Sequence, residues 1–182
     1  MITSTRRRLA FAAAAASLIV PVTAAAATTS ATAATSPYCG ISWGSLQKSS
    51  TPMTQRAVTN VRSGQHSCFD RLVIDLGQGA GKVGYTVRYV NSVMGPSGLP
   101  VAVNGGAKLQ VTVNAPATKQ VPSSGVVNYS SWNTFKQLKW VSSFEGYTDF
   151  ALGVRARLPM RVFTLSNADG GQRLVIDVAN RW

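Results

Sequence analysis

The 182-residue chain has one histidine, six acidic residues and two cysteines, and each scarcity closes a route to function. A zinc site draws three or four closely spaced ligands from His, Cys, Asp and Glu, whereas here His66 stands alone and the acidic residues are few and scattered. His66 lies two residues before Cys68, so a thiol nucleophile with a histidine base is conceivable. In an exported protein, however, a cysteine with one available partner is more commonly bridged. No catalytic residue, metal site or cofactor is expected. The GQGAGK segment at residues 77–82 has the composition of a phosphate loop without its spacing; it sits between strand-like runs and reads as a turn. No stretch beyond the N-terminal region repeats apolar residues at helical spacing, and no nucleic-acid motif appears.

What the chain does have begins with Arg6, Arg7 and Arg8, an uncharged run over residues 9–22, and a tail of Ala, Thr and Ser. This is the pattern of a secretory signal peptide. The run is Ala-rich, interrupted by Pro21, and shorter than the roughly 20 apolar residues of a membrane-spanning helix. Residues 1–27 are assigned to the signal, 28–37 to a flexible Ala/Thr/Ser leader and 38–182 to one domain, with no stable membrane span after cleavage. Without the three signal arginines, 15 of the 18 basic residues remain against six acidic ones, a net charge of +9. Export makes a disulfide between Cys39 and Cys68 the expected state of both thiols. Closing that loop would contribute about 3 to 4 kcal/mol in the chain-entropy treatment.

The remainder reads as strands and turns. From Cys39 to about Arg62 the pattern is irregular. RLVIDL then alternates, with Leu72, Ile74 and Leu76 on one face and Arg71, Val73 and Asp75 on the other. In VGYTVRYV, Val83, Tyr85, Val87 and Tyr89 oppose Thr86 and Arg88. Asn104-Gly105-Gly106 predicts a hairpin between VAV and AKLQVTV. Residues 114–133 form a polar stretch with Pro116 and Pro122, long for an internal loop. FKQLKWVSSFEG places Phe135, Gln137, Lys139 and Val141 opposite Leu138 and Trp140, and DFALGVR, PMRVFTLS and RLVIDVA follow as short strands. The fold class is all-β, a sandwich or barrel of about nine short strands. One pentapeptide, RLVID, occurs at residues 71–75 and again at 173–177. It marks either two related halves, with equivalent positions in two sheets, or convergence on a good strand sequence.

The succession FDRLVIDLG, GYTVRYV, FEGYTDFALGVRARLPMRVFTLS and RLVIDV resembles the AMIN-like domain of secreted and lipid-anchored actinobacterial proteins, over residues 68–179. The resemblance implies a two-sheet β-sandwich with internal pseudo-symmetry. AMIN domains proper accompany cell-wall amidases and secretion or pilus components, and they localise partners by binding peptidoglycan. No hydrolase domain accompanies the motifs here, so a targeting role is expected to act alone or through a separate partner. The resemblance supplies no established ligand residues.

Candidate ligand-binding residues therefore come from side-chain chemistry. Arg155, Arg157 and Arg161 cluster around Pro159 and could grip carboxylate or phosphate groups bidentately; a solubilising cluster is the competing reading. Arg71 and Asp75 lie about 13 Å apart on one strand face, too far to pair with each other. Arg71, Asp75 and the repeat counterpart Arg173 each need a cross-strand partner, a ligand or solvent. Tyr129, Trp132 and Tyr147 sit in loops or at strand ends, where an aromatic face could stack on a sugar or simply pack. Trp140 reads as core, and Trp43 as a cover for the disulfide. The expected partner is cell-wall glycan or an anionic wall polymer, with an envelope protein as the alternative and no nucleic acid. The expected location is extracellular or cell-wall associated.

Overall fold

The computed structural model describes residues 37–182; residues 1–36, which hold the signal assignment and most of the leader, lie outside it. A 3-10 turn at Tyr38–Gly40 precedes twelve strands: β1 Lys48–Ser50, β2 Val58–Gln65, β3 Phe69–Leu76, β4 Tyr85–Val90, β5 Val93–Met94 and β6 Pro100–Val101 come first. They are followed by β7 Ala107–Val113, β8 Val126–Asn128, β9 Phe135–Phe144, β10 Tyr147–Val154, β11 Met160–Ser166 and β12 Gln172–Ala179. A six-stranded sheet runs β1-β4-β7-β10-β9-β8, and a four-stranded sheet runs β11-β12-β3-β2. All the strand pairs are antiparallel. The two sheets pack face to face as a sandwich.

Alternation explains which residues fill it. Leu72, Ile74, Leu174 and Ile176 from the smaller sheet meet Val87, Leu109, Val111, Phe150 and Leu152 from the larger one in a single buried cluster. Each fully buried Leu, Ile or Phe contributes about 1.5–3 kcal/mol. The short β5–β6 hairpin covers part of the larger sheet's outer face, where Val93 and Val103 pack with Ala151. Cys39 and Cys68 form the expected disulfide, 29 residues apart. It fastens the 3-10 turn to the bend between β2 and β3.

Four local expectations need revision. Asn104-Gly105-Gly106 does not close a hairpin: β6 pairs with β5, while β7 pairs with β4 and β10. The glycines serve close backbone approach instead. A Cβ at Gly106 would overlap the carbonyl oxygen of Arg155, and one at Gly153 would overlap that of Asn104. Phe135 joins Leu138 on the core face because the register shifts between Gly153 and Val154, opposite Gln137 and Phe135. That shift leaves Lys136 as an extra residue and reverses the phase of the alternation at this point. The irregular region before Arg62 contains β1 and half of β2. The long polar stretch contains β8, a cis Val121–Pro122 bond and a bridge from Ala117 to Val58.

Arg56 enters the fold as a buried cation, only 8% exposed. Its Nε donates to the Gly81 carbonyl at 3.2 Å, and its Nη1 donates to the carbonyls of Gly77 at 3.1 Å and of Gly170. The GQGAGK turn after β3 and the turn between β11 and β12 are thereby joined through one side chain.

Candidate functional site: the arginine face of the small sheet

The two RLVID copies are neighbours in one sheet and not counterparts in two. They lie side by side as the central strands β3 and β12, with Arg71 opposite Asp177, Val73 opposite Val175 and Asp75 opposite Arg173. The pairing is its own reverse, so a local two-fold axis passes between Val73 and Val175. Leu72 and Ile74 face the core together with Ile176 and Leu174. The remaining three residues of each copy face outward.

On the outer surface three cross-strand rows result. One runs Arg161, Asp177, Arg71, Gly64; the next Phe163, Val175, Val73, Arg62; the third Leu165, Arg173, Asp75, Asn60. Four arginines face two aspartates, an excess of two positive charges. The edge strands break the two-fold relation, since β11 supplies Arg161, Phe163 and Leu165 where β2 supplies Asn60, Arg62 and Gly64.

The first row is saturated. Arg71 donates Nε to Asp177 Oδ1 at 2.7 Å and Nη2 to Oδ2 at 2.9 Å, and Arg161 adds Nε to Oδ2 at 2.7 Å. The Asp177 side chain is fully buried. Hydrogen bonding to Asp177 raises the Arg71 pKa further above its ordinary value, against the opposing effect of burial. Both guanidiniums also lie over aromatic rings. Arg161 sits 5.6 Å from the Trp43 ring, and Arg71 and Arg161 sit 5.1 and 5.4 Å from Phe69. Trp43 thus caps the arginines at this end, and its Nε1 donates to the Tyr38 carbonyl at 2.8 Å.

The third row is not saturated. Asp75 accepts from Arg62, Nε at 2.9 Å and Nη2 at 3.0 Å, and more weakly from Asn60 at 3.4 Å. The Asp75 hydrogen bonds hold the Arg62 pKa above its ordinary value. Arg173, directly across the strands from Asp75, donates no side-chain hydrogen bond and forms no ion pair among the described residues, and its Nε is shielded from solvent without an acceptor. Asn60 occupies the place that Arg161 holds at the other end, so the one arginine bound to Asp75, Arg62, comes from the diagonal position. A cleft of about 280 Å³ opens beside Arg173. Val73 and Val175 floor it, Leu165 walls it, and Arg62, Arg71 and His66 border it.

Of the residues expected to bind ligand, Arg71, Arg161 and Arg173 share this face, and the others are dispersed. Arg155 donates to the carbonyls of Asn133 at 3.1 Å and Asn180 at 2.6 Å. Arg157 reaches the Ser45 carbonyl at 3.3 Å and stacks 5.1 Å from Tyr89. Burial pushes the Tyr89 hydroxyl up to about 12, and it donates to the Leu158 carbonyl at 2.7 Å. The arginines around Pro159 therefore do not form one grip. Tyr129 is buried, hydrogen-bonded to Ser63 and packed against Trp132 and Phe135 at 4.7 and 5.6 Å; burial raises its pKa. Trp132 packs on the core, as does Trp140, edge-on to Phe150. Tyr147 is exposed on the larger sheet, beside a polar row of Ser49, Thr86, Thr112, Asp149 and Ser142. Arg62 and Leu165 were not singled out from sequence. Arg62 sits in the polar run VTNVRSGQ, where only Val58 and Val61 hint at a strand.

Fold and face together define a class: a disulfide-fastened antiparallel sandwich whose smaller sheet presents cationic side chains to solvent. The family model for the AMIN-like domain matches residues 56–180. The chain belongs to the AMIN-like family, which ties it to the cell envelope. No curated protein and no solved structure matches the chain. No helix among the described residues is long and apolar enough to cross a membrane.

Proposed function

We propose that the protein is a secreted, non-catalytic cell-envelope-binding domain that holds peptidoglycan or an associated anionic wall polymer. The observation carrying this reading is the outer face of the small sheet, where arginines outnumber aspartates and Arg173 has no acidic partner among the described residues. Family membership supports the envelope as the location. Guanidiniums attract an anionic polymer at a distance in a salt-dependent way, and their fork geometry selects carboxylate or phosphate oxygens at contact. The test is co-sedimentation of the purified protein with peptidoglycan sacculi, with and without attached teichoic polymers, across a salt series. Binding to bare sacculi that persists at moderate salt is expected. Failure to sediment with either preparation removes the proposal.

A second reading, a secreted protein-interaction module, is favoured by one feature. Among the described residues the edge strand β2 has β3 as its one strand partner, with a single bridge from Val58 to Ala117 at its start, and between it and β8 lies a cleft lined by Val61, Val127 and Trp132. An extended segment of an envelope protein could add there as a further strand. Retention of one specific protein on the immobilised chain, without sacculus binding, would select this reading.

A further inference from the structure

We propose that the cleft beside Arg173 receives an organic carboxylate carrying a small aliphatic group. The inference rests on the envelope reading for the source of its ligand and deepens it by naming the ligand's chemistry. The internal repeat is the main argument. It builds the same arginine twice, related by the axis between Val73 and Val175, and at one end a buried aspartate fills the guanidinium fork. At the other end the corresponding aspartate is engaged by Arg62, and the shielded Nε of Arg173 has no acceptor. A shielded donor without a partner is unfavourable by about 1–3 kcal/mol, so an arriving oxyanion would relieve a deficit already present in the fold.

The surroundings narrow the oxyanion. Val73, Val175 and Leu165 offer an apolar floor and wall next to the guanidinium. Phosphate, tetrahedral and strongly hydrated, would leave those surfaces unused, whereas a carboxylate next to a methyl or similar group covers them. The volume of about 280 Å³ is at the small end for ligand sites, which suits a single residue-sized group. Leu165 is 41% exposed on the edge strand β11 and is placed to shift as the ligand reaches the shielded Nε. The end of a free peptide and the stem of a wall polymer both carry such a group, and the carboxylate is what they share.

The experiment is a titration of the isotopically labelled full-length protein with acetyl-alanine, acetyl-alanine amide and inorganic phosphate, followed by NMR. Acetyl-alanine is expected to move the Arg173 Nε–H signal and the amides of Val73 and Val175 saturably. The amide should not do so, and phosphate should bind more weakly. Arg173→Gln is expected to weaken acetyl-alanine binding by about ten-fold or more, the usual effect of losing a charged hydrogen bond, with the melting temperature unchanged. Equal binding of the amide, tighter binding of phosphate, or an R173Q variant that binds as well as the parent would each overturn the inference. Sacculus binding without acetyl-alanine binding discards this inference and keeps the envelope reading. Acetyl-alanine binding without sacculus binding does the reverse.

Discussion

The two ends of the RLVID pair are built from the same five residues, yet one behaves as core and the other as surface. At the Asp177 end three guanidinium donors converge on one buried carboxylate under Trp43, Phe69 and Phe163. At the Asp75 end the carboxylate is one-fifth exposed and held by Arg62, which is itself half exposed. Two copies of one pentapeptide thus acquire opposite roles from their neighbours. β11 contributes aromatic and cationic side chains that seal one end, while at the other β2 places Asn60 opposite Asp75, too small to seal it. Site character in a sheet is a property of the cross-strand row and not of the strand alone.

Perturbation should widen or erase that contrast in graded steps. Reducing the disulfide is expected to have the largest effect, a loss of about 3–4 kcal/mol for a loop of 29 residues. Because the bridge holds the segment leading to Trp43, hydrogen exchange should accelerate around Trp43 and Phe69 and stay unchanged around Leu165. Asp177→Asn comes next. Removing a buried carboxylate from two arginines costs about 3–5 kcal/mol when all partners are buried. Here Arg71 and Arg161 keep 26% and 32% of their side-chain surface in water, so about 3 kcal/mol is expected, read from urea unfolding. The same change at Asp75 should cost under about 1 kcal/mol, as for an exposed pair. It should also tighten acetyl-alanine binding, since one negative charge leaves the position directly across from Arg173. Arg173→Gln should alter stability by less than about 0.5 kcal/mol in the same unfolding measurement. If D75N proves as damaging as D177N, the two ends are not different in kind, and the contrast fails.

Much of this face could be read from the chain before any coordinates. The alternation in RLVIDL correctly separated Leu72 and Ile74 from Arg71 and Asp75, because a two-residue period is local and the core face is uniformly apolar. The separation of Arg71 from Asp75 likewise announced that each needed a partner elsewhere. Which partner was not legible. That Asp177 meets Arg71 depends on β3 and β12 being neighbours, a pairing across more than a hundred residues that no local pattern encodes. Arg62 was hidden for a related reason: an edge strand exposed along much of one side needs few apolar residues. Phe135 was placed on the wrong face because one extra residue at Lys136 reverses the phase, and nothing in FKQLKW signals it. Asn104-Gly105-Gly106 misled because glycine serves close backbone approach as readily as it serves a tight turn.

Arg56 hydrogen-bonds to its two turns only through main-chain carbonyls, those of Gly77, Gly81 and Gly170. It recognises the path of the main chain and is blind to the side chains those turns display. Exposed residues such as Ala80 and Ala168 can accordingly be rewritten to carry new surface chemistry while the clasp stays shut, whereas deleting a single residue from either turn would move a carbonyl out of reach and open it.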